Sequence, residues 1–426
     1  MATVDRSRPV SASYKWYVVA LLWFCGFFNY ADRQAVNAVF PLLKSEFKLT
    51  DEQLGWVGSS FMIVYALSAV FAGFLVDNVS RRGLIAAGVA FWSLICAATG
   101  FARSYSQVLI FRAAEGLGES FYFPASMTLL ADYHAPSTRS RAMSIHQTSV
   151  YVGSAGGVYF AGLLAERYGW RSPFWVLGGI GIIFALWLGT QIIEPARGKS
   201  EKGPGSQPVE PEDEIATPRP DLLANLAEIL STPAAVALLG VFIGANFVAT
   251  AFLTWIPTFI GRQLALGLAA SSLLSTAWPL SSLVGALAGG FLADSATKRP
   301  GGRILVQAFG LLIAAPFVLA TGWATTKTAV VLALVGVGLC KGVYDANIFA
   351  TLYDVVRPPL RGTAAGLMNT VGWTGGAVAP VLVGKLSATY GLGPAIASTA
   401  AMYVFAGLLA LVASWLTAAG ARVKSA

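Results

Sequence analysis

Seven ionisable residues sit inside long apolar stretches: Asp32 and Arg33, then Arg112, Glu115 and Glu119, and far downstream Lys341 and Asp345. A charge at membrane depth is expensive, so such side chains mark binding sites or proton relays unless they only lock helices together. Spacing narrows the chemistry. On a helix advancing about 100° per residue, Arg112 and Glu119 share one stripe two turns apart, and Glu115 lies one turn from each, about 60° to the side. Glu115 therefore reads first as a structural partner of Arg112. Lys341 and Asp345 have the i,i+4 spacing of an intrahelical ion pair. They read as a locked pair or as a contact for an anionic substrate. Asp32 and Arg33 are neighbours pointing about 100° apart. With all seven ionised, three positive charges face four negative ones, and a surplus carboxylate away from water favours its protonated form. A proton-coupled carrier needs such a group. Asp32 and Glu119 are the candidate coupling acids, and Arg33 and Arg112 would compete for them or hold an anionic headgroup. A purely structural network is the alternative.

Around these charges, Tyr30, Tyr122, Tyr151 and Tyr344, with Asn347, are candidates to line a passage, although aromatic residues in apolar stretches serve packing just as readily. Between the stretches lies a second set: Asp77, Arg81 and Arg82, echoed by Asp294, Lys298 and Arg299, with Asp132 and Arg141 further on. These residues read as a gate whose salt bridges join the two halves or helix ends on one face and break when that face opens. They also fit simple retention of basic loops on one side of a membrane.

The elements that position these groups are long and apolar. The chain is 56% hydrophobic and 12% charged, against about 25% charged in soluble domains. Runs long enough to cross a bilayer fall at 16–40, 54–76, 83–101, 108–131, 142–164 and 173–193. Six more follow at 234–260, 269–292, 303–322, 328–353, 363–386 and 394–417. The polar leader Met1 to Ser13 runs straight into the first of them, which reads as a span and not as a cleaved signal. Residues 194–220 hold six prolines and many charges and read as a flexible linker, with LLANLAEIL (222–230) as a short surface helix. This divides the chain into a first bundle (1–193), a linker (194–233) and a second bundle (234–426). Lys and Arg are more than twice as frequent on the side holding both termini and the linker, which places that side in the cytoplasm. Pro257, Pro279, Pro316 and Pro380 are expected to interrupt or kink helices of the second half.

An internal repeat supports the division: GFLVDNVSRRG (73–83) is matched by GFLADSATKRPG (290–301). The stretch Gly73–Asp77–Arg81–Arg82, repeated at Gly290–Asp294–Lys298–Arg299, resembles the cytoplasmic signature of the major facilitator superfamily; Ser80 stands where that signature has glycine. NYADRQ (29–34), WSL (92–94), RAAEGLGES (112–120) and GSAGG (153–157) resemble the spinster-like branch, with Ser120 replacing an alanine. The Asp32–Arg33 pair, the Arg and Glu seven apart at 112 and 119, and FYFPAS (121–126) also resemble the anion:cation symporter branch. The resemblance implies an all-α membrane protein of twelve helices in two six-helix bundles. It implies a secondary transporter working by alternating access, H⁺-coupled, for a lysolipid- or sphingolipid-like amphiphile; the second resemblance implies a carrier of small organic anions such as sugar acids. It further implies an inner or plasma membrane location and a monomer.

Other functions fit poorly. No nucleophile, base and orienting residue share a suitable spacing, so no enzyme is expected. GVGLCKG (336–342) lies within an apolar span and lacks the context of a phosphate loop. His134 and His146 are not spaced as metal ligands, and Cys25, Cys96 and Cys340 lie in apolar runs without a pairing framework; no metal, cofactor or disulfide is expected. The net charge of +8 is spread over short loops, so nucleic acid is not expected as a partner.

Overall fold

The computed structural model describes residues 12–195, 222–296, 299–357 and 360–425. Within them the chain is helical, with eighteen helices forming twelve spans. The first six spans are α1–α2 (Ala12–Ala38, Phe40–Phe47), α3 (Asp51–Asn78), α4 (Arg81–Thr99), α5–α6 (Tyr105–Ser120, Tyr122–Tyr133), α7 (Pro136–Tyr168) and α8 (Ser172–Gln191). A surface helix, α9 (Leu222–Leu230), precedes the second set. That set is α10 (Pro233–Gln263), α11–α12 (Leu268–Ser275, Ala277–Ala296), α13 (Gly302–Trp323), α14–α15 (Lys327–Asp345, Ile348–Val355), α16 (Arg361–Tyr390) and α17–α18 (Leu392–Ser398, Ala400–Ser425). An even number of crossings puts Ala12 and Ser425 on one face, here the terminal face; the opposite is the far face. Eight of the twelve spans are long and apolar enough to cross a membrane on length and composition alone. The other four are α1–α2, α3, α5–α6 and α16.

Three of the five breaks within spans have one cause. Proline has no N–H to give the carbonyl four residues back, and its ring crowds that turn. Pro41, Pro124 and Pro279 follow two or three residues after the breaks at Val39, Phe121 and Thr276. Of the prolines expected to interrupt or kink helices of the second half, Pro279 follows a break, whereas Pro257, Pro316 and Pro380 lie inside helices that continue past them. The start of α3 is fixed by a capping box, in which the Thr50 hydroxyl accepts from Gln53 N–H at 3.1 Å and the Gln53 side chain accepts from Thr50 N–H at 2.8 Å.

Large apolar side chains cover the outside: Phe71 is 69% exposed and Phe291 80%, as lipid-facing surface requires. Inside, glycine permits close contact at the α1–α7 crossing. A Cβ on Gly157 would lie 2.3 Å from the Ala31 Cα. Gly157→Val is therefore expected to force α7 off α1 at a cost of about 1–3 kcal/mol, read as a lower unfolding midpoint in detergent.

The core is asymmetric along the membrane normal. One buried cluster runs through both halves toward the far face, joining Phe40, Leu54 and Phe174 to Trp255, Ile256 and Val383. The terminal-face end of the first half has a separate cluster built on Leu22, Ile85, Trp92 and Leu129. Among the described residues, every hydrogen bond between halves lies at mid-membrane or on the far side. At the terminal face Arg141, Gln147 and Arg361 are exposed, and Gly362 and Gly366 have open space beside them. The halves are thus closed at the far face and parted at the terminal face.

Candidate functional site

Helices α1 and α5 bring five of the seven charges into one buried cluster. Arg33 Nη2 donates to Glu119 Oε2 at 2.7 Å and its Nε donates to the same oxygen at 3.1 Å. The guanidinium lies 4.5 Å from the Tyr30 ring centre, 4.6 Å from Phe61 and 5.1 Å from Tyr65. Such an aromatic cage suits a weakly hydrated, planar cation. Arg112 forms its ion pair with Glu115, one turn away, and its guanidinium reaches the Arg33 carbonyl at 3.4 Å. The shared stripe of Arg112 and Glu119 therefore does not make them partners: Glu115 takes Arg112, and Glu119 is left for Arg33.

Asp32 has no such partner. It is 1% exposed, and neither carboxyl oxygen receives a hydrogen bond. It lies within electrostatic reach of Glu115, Glu119 and Arg112. The neighbouring Cys96 thiol is directed at the Phe174 carbonyl, 3.7 Å away. Three carboxyl groups thus face two guanidinium groups, and all five are buried. An uncompensated buried charge costs several kcal/mol, so the cluster has one negative charge too many unless a proton offsets it.

The remaining two charges sit apart. Lys341 and Asp345 form an ion pair on α14 that touches open space, with side chains 14% and 24% exposed. Tyr151 on α7 donates to Asp345 Oδ2 across the seam at 3.3 Å, and the Lys341 ammonium lies 5.8 Å from the Trp278 ring centre. Tyr65 and Trp373 meet edge to face across the other seam at 5.6 Å. Tyr151 thus borders the seam and Tyr30 packs on the Arg33 guanidinium, but three other candidates for the passage wall are held elsewhere. Tyr122 is buried in the first half, giving its hydroxyl hydrogen to the Leu22 carbonyl and meeting His146 Nε2 at 2.7 Å. Tyr344 turns into the core of the second half, where Tyr403 is a neighbour. Asn347 donates to the carbonyls of Gly289 and Val343, each at 3.0 Å, and so ties α14–α15 to α12.

Among the described residues, the gate candidates form bonds within halves. Arg81 is buried and pairs with Asp132 at the end of α6 and with Glu194 after α8. Arg82 donates to the Gly189 carbonyl at 2.9 Å. Burial opposes the charged form of Glu194, but hydrogen bonds from the Ser80 hydroxyl and from Arg81 hold its carboxyl below the usual range. The tie is therefore complete at neutral pH and weakens only as pH falls through that lowered value. In the second half Arg303 contacts Asp294 at 3.6 Å and Asp354 at 2.9 Å. Arg141 and Arg299 are exposed. Lys298 and the Asp77 side chain lie outside the described residues. These knots are intact while the terminal face stands open, so they are not the bridges that break on opening.

The tie between halves lies at the far face, on residues absent from the sequence-based set. Asp51 accepts two bonds from Arg262, at 2.7 and 2.8 Å, one from Lys44 at 2.6 Å and one from Ser387 at 2.8 Å. Glu166 on α7 accepts from Ala269 N–H at 2.5 Å at the start of α11.

The family profile of the Major Facilitator Superfamily matches residues 22–380 and, in an overlapping second match, 270–425. This chain belongs to the Major Facilitator Superfamily. Its relatives include both branches that the sequence resembles. It is 29% identical to a probable chloroplastic anion transporter of Oryza sativa subsp. japonica over 87% of this chain and 64% of that one. It is 28% identical to the protein spinster of Drosophila melanogaster over 91% and 63%, and 28% identical to the spinster homolog 1 of Bos taurus over 90% and 75%. The chain thus spans less than two thirds of the rice and fly proteins. Its fold matches, with a TM-score of 0.82, the solved inward-facing, unoccupied structure of a bacterial homolog to the human lysosomal transporter Spinster. That match is 22% identical and covers 96% of this chain and 98% of the other. The occupied form of that homolog matches with a TM-score of 0.75.

Proposed function

We propose that this transporter uses a proton gradient to move an amphiphilic, lipid-like substrate by alternating access between its two bundles. The observation that carries the coupling is Asp32, a buried carboxyl without a hydrogen-bond partner in a cluster short of one positive charge. A proton on Asp32 balances the cluster. Its release recharges the site and favours a different arrangement of α1 against α5. The excess of Lys and Arg on the terminal face supports a cytoplasmic side for that face and both termini, in an inner or plasma membrane. The open state is then the inward-facing one. The knots around Arg81 and Arg303 keep each bundle rigid as it moves.

For the substrate, the supporting features are those near the seam. Arg33 and Arg112 are already neutralised, and the accessible Lys341–Asp345 pair lies beside Tyr151 and Trp278. This setting suits an amphiphile with a polar head better than a compact anion. A second reading, symport of a small organic anion such as a sugar acid, draws on the anion-transporter relatives and on one chemical point. Protonation of Glu119 would release Arg33 for an anion.

Proteoliposomes with an imposed pH gradient and a fluorescent proton reporter separate the readings. Lysophospholipids or sphingoid bases are expected to evoke proton movement on addition. Proton movement evoked only by sugar acids would establish the second reading. Uptake of any of these substrates without proton movement would remove proton coupling from both.

A further inference from the structure

On the lipid side of the α3–α16 seam, away from the passage, the two helices leave a cleft of about 450 Å³. That volume is in the range of small-molecule sites, about 300–1,000 Å³. Its walls include Trp56, Ile63 and Leu67 on α3 and Val378 and Leu382 on α16, and the one charged residue lining it is Lys385. Lys385 precedes the end of α16 by five residues and Trp56 follows the start of α3 by five. Both therefore lie about 7–8 Å below the far end, the headgroup level at which Trp and Lys settle. From Trp56 to Leu67 the slot runs about 16 Å down the helix. Beside its deep end, Tyr65 and Trp373 meet edge to face across the seam. No carboxylate among the described residues pairs with Lys385, although Asp51, nearby on α3, is already held by Arg262, Lys44 and Ser387.

An apolar slot as long as much of an acyl chain, with a single cation at its polar end, has the shape and charge of a site for one lipid. We propose that it holds one acyl chain of an anionic phospholipid from the far-face leaflet, with the phosphate on Lys385. Any lipid can cover the apolar walls, and any phospholipid can offer its phosphate; only a head with net negative charge gains a net attraction to the ammonium, because choline carries a cation that offsets the phosphate. A preference between headgroups therefore isolates the site from ordinary lipid contact. The inference is independent of what the passage carries.

The test is native mass spectrometry of the full chain released from nanodiscs of equal phosphatidylglycerol and phosphatidylcholine. The expected result is one retained phosphatidylglycerol, favoured about fivefold, as one lysine near a membrane surface provides. Lys385→Gln, a change at an exposed position, should erase the preference. Ala377→Trp, which fills the cleft, should remove the retained lipid. Equal retention of both lipids by the unaltered protein would overturn the proposal, since annular lipid then covers the cleft. An undiminished preference in Lys385→Gln would also overturn it.

Discussion

Asp32→Asn is expected to abolish accumulation driven by a pH gradient while exchange of substrate across the membrane continues. Asparagine keeps the shape of the side chain and cannot ionise. The cluster then holds two carboxylates and two guanidinium groups in every state, so no charge change remains to couple to movement. A gradient of one pH unit can drive about tenfold accumulation per proton, and the variant should fall to no accumulation at all. Its exchange rate should also be flat between pH 5.5 and 7.5, where the parent varies. A structural role for Asp32 would not produce that pattern. Retained accumulation in Asp32→Asn would exclude Asp32 and move the proton to Glu115 or Glu119. Glu119→Gln is a poorer first experiment. It strips Arg33 of the partner 2.7 Å away and leaves a buried guanidinium uncompensated, at a cost of about 3–5 kcal/mol. Loss of transport in that variant would not separate coupling from folding.

The twelve spans and the buried charges are legible in the sequence because both are local facts: a bilayer needs long apolar runs, and a charge within one stands out. Who pairs with whom is a different matter. The i,i+3 bond of Arg112 to Glu115 and the i,i+4 bond of Lys341 to Asp345 follow from helix geometry. Arg33 and Glu119 are 86 residues apart, and their pairing depends on how α1 leans on α5. The same limit explains the passage wall. Tyr30 and Tyr122 lie in equally apolar surroundings, and only tertiary packing sends one to the Arg33 cage and the other to His146. In the repeat after span eight, the sequence directs attention to Lys298 and Arg299, yet Arg303 forms the knot matching that of Arg81. The Gly301–Gly302 turn carries the useful arginine five residues beyond Lys298, the apparent match of Arg81. The far-face tie was invisible for a plainer reason. Asp51 and Arg262 are 211 residues apart in loop-flanking positions, where a charge needs no explanation.

That tie is also the place to shift the conformational balance. Asp51 holds α3 of the first half to α10 and α16 of the second, through Arg262 and Ser387. The bonds close the far face and must break when it opens, so they stabilise the closed-far-face state alone. The Arg262 side chain is 36% exposed, which limits the worth of a bidentate pair to about 1 kcal/mol. Arg262→Ala should therefore raise the ratio of far-face-open to far-face-closed molecules about fivefold. Spin labels at Arg103 and Lys327, exposed at the far face on opposite halves, would report it as growth of a longer-distance population. Asp51→Asn should act in the same direction, because a neutral amide cannot hold Arg262 and Lys44 as a carboxylate does. The double variant should add little to either single change, since one network is being broken. An unchanged distance distribution in Arg262→Ala would show that the close backbone approach of Gly55 to Pro380 holds the far face without the ion pair. The balance should then respond to Gly55→Val, whose added side chain would meet the Pro380 carbonyl, 2.4 Å from a Cβ at that position, and wedge α3 from α16.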